Sequence, residues 1–353
     1  MYVAWRDLRF ARGRFALIGA VVALITLLVG FLSGLTGGLA AQNVSGVLAL
    51  PGDRLVLHPV AGASATFADS AIDDDIVSAW RSAPGVDEVI PVGIAQARAE
   101  GPGASTAVAL FGLDAGTSFA APRRDDEIDL SAGAAKNLGA AIGDQVTVAG
   151  SSYRVSAIGD DDWYSHTPVA TLTASAWASL QHRVGGTGRP TVLAVTGSPA
   201  WDAVAADTGT TASTPLASLT ALSTFRSEIG SLALMIAMLF GVSALVVGAF
   251  FTVWTMQRSA DIAVLKALGA STPVLVRDAL GQASVVLAIG VGVGIGLTAL
   301  LGAVAAGSLP FVLSPLTTLA PAAVMIALGL LGAAVSLRTV TSSDPLTALG
   351  STR

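Results

Sequence analysis

The chain has 353 residues, 53% of them hydrophobic and only 12% charged, with a formal net charge of −5. That charged share is far below the roughly 25% of an average soluble domain, and the acidic balance argues against nucleic acid as a partner. With no cysteine in the sequence, disulfides, thiolate metal sites and a cysteine nucleophile are excluded.

A short segment, residues 1–14, precedes an uncharged run from Phe15 to Ala41. The hydrocarbon core of a bilayer is about 30 Å thick and a helix rises about 1.5 Å per residue, so this run predicts transmembrane helix 1 over 15–41. It is longer than the apolar part of a signal peptide, and Gln42-Asn43-Val44-Ser45 is a poor cleavage site, so the helix is expected to be retained.

Residues 42–228 form a polar block. Alternating or β-rich runs occur at Arg54–Val60, Glu88–Ala99, Thr106–Leu113, Gln145–Val148, Tyr153–Ile158 and Thr191–Val195. Helical patterns lie between them at Ile72–Ser82, Ser131–Leu138, Ala174–His182 and Ala200–Ala206, and Gly101-Pro102-Gly103 reads as a hairpin connection. The block is therefore expected to fold as an α+β domain.

The remaining elements are mostly apolar. Ile229–Gln257 is uncharged and predicts helix 2 over 229–257; a segment 258–272 follows, then helix 3 over 273–308. A loop over 309–320 and helix 4 over 321–338 come next, with Pro310, Pro315 and Pro321 marking the turn, and a tail over 339–353 ends the chain. The expected fold class is an integral membrane α-helical protein with four transmembrane helices. An extracytoplasmic α+β domain is inserted between helices 1 and 2.

Orientation follows from the excess of lysine and arginine on cytoplasmic segments. Arg6, Arg9, Arg12 and Arg14 precede helix 1 against a single Asp7. With both termini cytoplasmic, nine basic residues and four acids fall inside, leaving ten basic and twenty acidic residues outside. The chain is thus expected in the plasma or inner membrane as a multi-pass protein. Glycine stripes at Gly30, Gly34 and Gly38, at Gly290 and Gly294, and at Gly292 and Gly296 allow close helix approach.

No catalytic constellation is visible. The GxxxxGK[ST] phosphate loop is missing and Lys136 and Lys266 are the only lysines, so ATP hydrolysis is expected on a separate subunit. His58, His166 and His182 have no metal-site spacing, and no intrinsic cofactor or metal is expected. The ionisable pair Arg226 and Glu228 sits at the outer mouth of helix 2 beside Phe225, with Met235 and Met238 two to three turns further on. These are candidate substrate-binding residues. Charges at this depth also mark the water interface, which is the blander reading.

Residues 258–272 read as a short amphipathic helix. Arg258, Asp261 and Lys266 supply charge, Ile262, Leu265 and Leu268 share one face, and Gly269 is a stop. This pattern closely resembles the R-x-x-E-I-x-x-L-K-A-L-G-A-[ST] segment of the FtsX-like, MacB-type ABC transporter permeases, with Asp261 standing for the glutamate. Ile128-Asp129-Leu130-Ser131, Leu138-Gly139, Gly143-Asp144-Gln145-Val146 and Tyr153–Ile158 look like the order of that family's periplasmic core. Asp344-Pro345-Leu346-Thr347-Ala348-Leu349 is similar to its C-terminal ending.

The resemblance implies a homodimeric permease in a lipid membrane, with separate cytoplasmic ABC ATPase subunits docked at residues 258–272. It also implies mechanotransmission, in which a closing motion expels an amphipathic substrate from the outer leaflet or outer face. The four-helix economy is similar to that of compact haem exporters of the HrtB kind, so haem is the first expectation for the transported substrate. Glu228 would then act as axial donor and Arg226 as propionate partner. Lipoprotein, peptide or antibiotic export permeases share the topology, as does a non-transporting FtsX-like regulator that relays ATPase motion to an extracellular hydrolase.

Overall fold

The computed structural model describes residues 12–59, 64–114, 121–257, 264, 271–305 and 309–341. The chain separates into two compact units, Leu39–Gly230 and the chain on either side of it. Helix α1 (Arg12–Leu48) opens the fold. It runs past the expected end at Ala41, because Val44 and Val47 are buried in the core of the Leu39–Gly230 unit and continue the helical pattern there.

In that unit, β1 (Arg54–Leu57), α2 (Asp74–Ser82), β2 (Val86–Glu100), β3 (Ser105–Leu113), β4 (Glu127–Leu130) and α3 (Ala132–Leu138) come first. They are followed by β5 (Gln145–Val148), β6 (Ser151–Ile158), β7 (Trp163–Tyr164), β8 (Thr167–Thr173) and α4 (Ala174–Arg183). Last come β9 (Val192–Gly197), α5 (Trp201–Asp207), β10 (Thr211–Ser213) and α6 (Pro215–Ser218). The strand order is β10-β1-β9-β2-β3-β8-β4-β6-β5, with β7 attached to β8.

Strand β2 serves both halves of this sheet. Its first part pairs with β9 and its second with β3. Ala99 and Glu100 pair also with Val148 and Thr147, so the strands from β2 through β5 close on themselves. Val108, Leu110, Ile128, Val146 and Val155 fill the enclosed core. Gly93 and Gly112 face each other across β2 and β3, and a Cβ on either would collide with the Trp177 indole of α4. Helix α3 starts with Ser131 Oγ accepting from Ala134 N and stops at Gly139 in the left-handed region. The Gly143-Asp144 turn is held by the Asp144 carboxylate accepting from Ala141 N at 2.8 Å.

The other unit contains α7 (Ser223–Gln257, in its part after Gly230), α8 (Thr272–Ala305) and α9 (Pro315–Thr341), together with the first part of α1. Each of the four helices is long and apolar enough to cross a membrane. Val22, Val29, Val247, Phe251, Leu287 and Met325 are buried together. Leu245, Val304 and Leu316 are 73%, 76% and 78% exposed, an outward apolar surface that suits lipid.

Helix α9 starts at Pro315, ahead of the expected Pro321, which lies inside it. The reason is local: Ser314 Oγ accepts from Thr317 N, and proline is well suited to the first helical position. The glycine stripe of α1 is used within the unit. A Cβ at Gly30 would press on Thr298, at Gly34 on the Phe311 ring, and at Gly38 on the Pro310 carbonyl. Gly290 and Gly294 likewise meet α1, whereas Gly292 and Gly296 have nothing within 4 Å of an added Cβ.

Candidate functional site

Strands β7 and β8 pair Trp163 with Pro168 and Tyr164 with Thr167, leaving Ser165-His166 as a two-residue connection. Both residues are left-handed, with φ of 48° and 64°. This is the backbone of a type I′ hairpin turn, which normally selects Asn-Gly because side chains are strained there. Strained residues cluster at functional sites, and here both side chains reach helix α7.

His166 Nε2 lies 2.8 Å from Glu228 Oε2. Beside it, Ser165 Oγ and Thr224 Oγ1 share a hydrogen bond of 3.0 Å. The backbone of the same turn grips helix α1: Ser165 N donates to Asn43 O and His166 N to Gln42 O, each at 3.0 Å. One turn further, Ser45 Oγ accepts from Trp163 N at 2.8 Å.

Asn43 completes the cluster. Its Nδ2 donates to Glu228 Oε2 at 3.3 Å, and the residue is fully buried. The His166 and Glu228 side chains are 31% and 36% exposed, so this pair is reachable from solvent while its amide partner is not. A cavity of about 330 Å³ adjoins the turn, lined by Phe67, Ile94, Gln96, Tyr164, Ser165 and Thr224 among others. Burial pushes the Tyr164 phenol pKa up. Just before the hairpin, burial raises the Asp162 pKa, and the charges of Asp160 and Asp161 add to it.

Of the residues singled out from the sequence, Glu228 and His166 are brought together. Arg226 is exposed two residues before Glu228, and Phe225 packs against the core around Phe111 and Tyr164. Met235 is half-exposed on α7 and belongs to the other unit. His58 and His182 are elsewhere: His58 Nδ1 is 3.1 Å from Ala71 O, and the His182 ring fills the space beside Gly188. Among the described residues no group of three His, Asp or Glu side chains is arranged to hold a metal ion. No pattern in the sequence singles out Asn43. Its role depends on α1 continuing past the membrane run, which the break in hydrophobicity at Gln42 hides. The docking candidates Arg258, Asp261, Ile262, Leu265, Lys266, Leu268 and Gly269 lie outside the described residues, as do Asp344–Leu349.

Residues 17–211 match the MacB-like periplasmic core domain family and residues 233–345 the FtsX-like permease C-terminal family. Over 99% of both chains, the sequence is 26% identical to a Staphylococcus haemolyticus protein that carries the name hemin transport system permease protein HrtB. At the same coverage it is 25% identical to an uncharacterised ABC transporter permease of Mycobacterium tuberculosis. Among solved structures, the extracellular domain of the noncanonic ABC-type transporter YknZ from Gram-positive bacteria is 11% identical with a TM-score of 0.34, covering 45% of this chain and 98% of that one. The periplasmic region of MacB from Actinobacillus actinomycetemcomitans is 10% identical with a TM-score of 0.36, covering 48% and 92%.

Proposed function

The chain belongs to the ABC transporter permeases that join a MacB-like periplasmic core to an FtsX-like C-terminal part, and we propose that it expels haem or a closely similar amphipathic molecule. The observation that carries this reading is the His166–Glu228 pair. A ferric porphyrin needs a donor for its iron, an apolar surface for its ring and hydrogen-bonding or cationic partners for its propionates. The carboxylate of Glu228 and the imidazole of His166 are such donors. In this reading the exposed Arg226, two residues before Glu228, meets a propionate. The name of the Staphylococcus relative points to the same class of cargo.

In this reading the permease works as a homodimer with cytoplasmic termini. Each site residue then occurs twice about the two-fold axis, and two Glu228 carboxylates brought near one another repel. Ferric iron between them relieves that repulsion, so the empty closed dimer is disfavoured and the loaded one favoured. Separate ATPase subunits bind at Arg258, Asp261, Ile262, Leu265, Lys266, Leu268 and Gly269, and ATP-driven closure then pushes the cargo outward. The test is hydrolysis by the purified permease–ATPase complex with and without hemin. The proposal expects hemin to stimulate turnover in the full complex; a complex whose hydrolysis ignores hemin, while another amphipathic molecule stimulates it, overturns the choice of cargo.

A further inference from the structure

We infer that Asn43 is the residue that positions the Glu228 carboxylate for cargo, an assignment that rests on the haem reading above. Three observations carry it. Asn43 is fully buried, its Nδ2 donates to Glu228 Oε2, and its Oδ1 has no hydrogen-bond partner.

Burying an amide with its acceptor unsatisfied costs stability, and nothing in the packing calls for one. Val44 and Val47, its neighbours on α1, are ordinary core residues, and a leucine, with the same number and branching of side-chain heavy atoms, would remove the unsatisfied atom. The feature that distinguishes asparagine at this place is the donor it offers to Glu228. That donor approaches the same oxygen as His166, so the carboxylate is held from α1 and from the hairpin turn at once. The backbone carbonyl of Asn43 is itself held by Ser165 N, which fixes the amide relative to the turn. Asn43 thereby sets the direction in which a carboxylate on α7 faces its ligand. It touches no cargo itself.

A purely structural asparagine and a positioning one differ in a measurable way. Asn43→Leu and Asn43→Ser are made in the full-length permease, purified with its ATPase, and compared by thermal unfolding and by hemin titration followed at the Soret band. The positioning role expects Asn43→Leu to melt at or above the wild-type temperature. It also expects hemin to bind about ten- to a hundredfold more weakly, the usual cost of losing a residue that orients a ligand, with a shifted Soret maximum. Hemin binding by Asn43→Leu within about twofold of wild type, at an unchanged maximum, overturns the assignment. So does failure of both variants to fold, which makes Asn43 structural. If the wild-type complex itself shows no hemin band, the haem reading fails first and the assignment falls with it.

Discussion

His166 and Glu228 are 62 residues apart in the chain and meet at 2.8 Å, one at the tip of a two-residue hairpin and the other near the start of helix α7. The hairpin turn is an uncomfortable place for either of its residues, since a left-handed conformation costs a side-chain-bearing residue about 1–2 kcal/mol. A side-chain hydrogen bond returns about 0.5–1.5 kcal/mol net, and about 1.5–3 kcal/mol when one partner is charged. On these magnitudes the side-chain bonds to α7 and the backbone bonds to α1 offset the strain of the turn.

Replacing Ser165-His166 by Asn-Gly therefore separates stability from function. Asn-Gly suits the type I′ turn, so the double variant is expected to fold and to melt no lower than wild type. It lacks the imidazole, and hemin binding should fall at least about tenfold. Thermal unfolding and a hemin titration on the same preparation check both halves. A variant that melts lower and binds normally would show that the pair serves the fold.

The glycine contacts yield a second expectation. An alanine Cβ at Gly38 would overlap the Pro310 carbonyl, which is backbone and has little room to move, whereas Gly296 faces open space. Overpacking of this kind costs about 1–3 kcal/mol. Gly38→Ala should lower the melting temperature in detergent and reduce yield, and Gly296→Ala should do neither. Equal behaviour of the two variants would contradict the α1 packing described here.

Much of this architecture is legible in the sequence because its signals are local. Uncharged runs, the helical pattern of Ser131–Leu138 and the Gly101-Pro102-Gly103 connection each act within a few residues. No alternating pattern in the sequence predicts strands β4, β7, β8 and β10. Three of them have four residues or fewer, too short for alternation to register. Strand β8 carries Pro168, which argues against an interior strand; it is tolerated as the second residue, where β8 pairs with the short β7. Glu228 stood out as a carboxylate at the end of an apolar run, but its partners Asn43 and His166 lie 185 and 62 residues away. No local pattern announces such a meeting.

Residues 258–272 supply a third prediction. Ile262, Leu265 and Leu268 share a face in the amphipathic pattern; burial of one leucine contributes about 1.5–3 kcal/mol. Leu265→Asp should abolish hydrolysis coupled to the permease or release the ATPase during purification, while thermal unfolding of the permease stays as in wild type. Co-purification and coupled hydrolysis at wild-type levels would leave this segment as a membrane-surface helix.

The account turns on Glu228, and the most direct test is the visible spectrum of Glu228→Ala after hemin loading, set beside wild type. The account predicts a Soret band in the wild-type complex and its loss in the variant. The variant should still melt cooperatively and still co-purify with its ATPase, and cells that depend on the wild-type exporter for survival in hemin should lose that resistance when given it. An undiminished Soret band together with undiminished hemin resistance in Glu228→Ala would contradict the account and return Glu228 to the role of an interface charge.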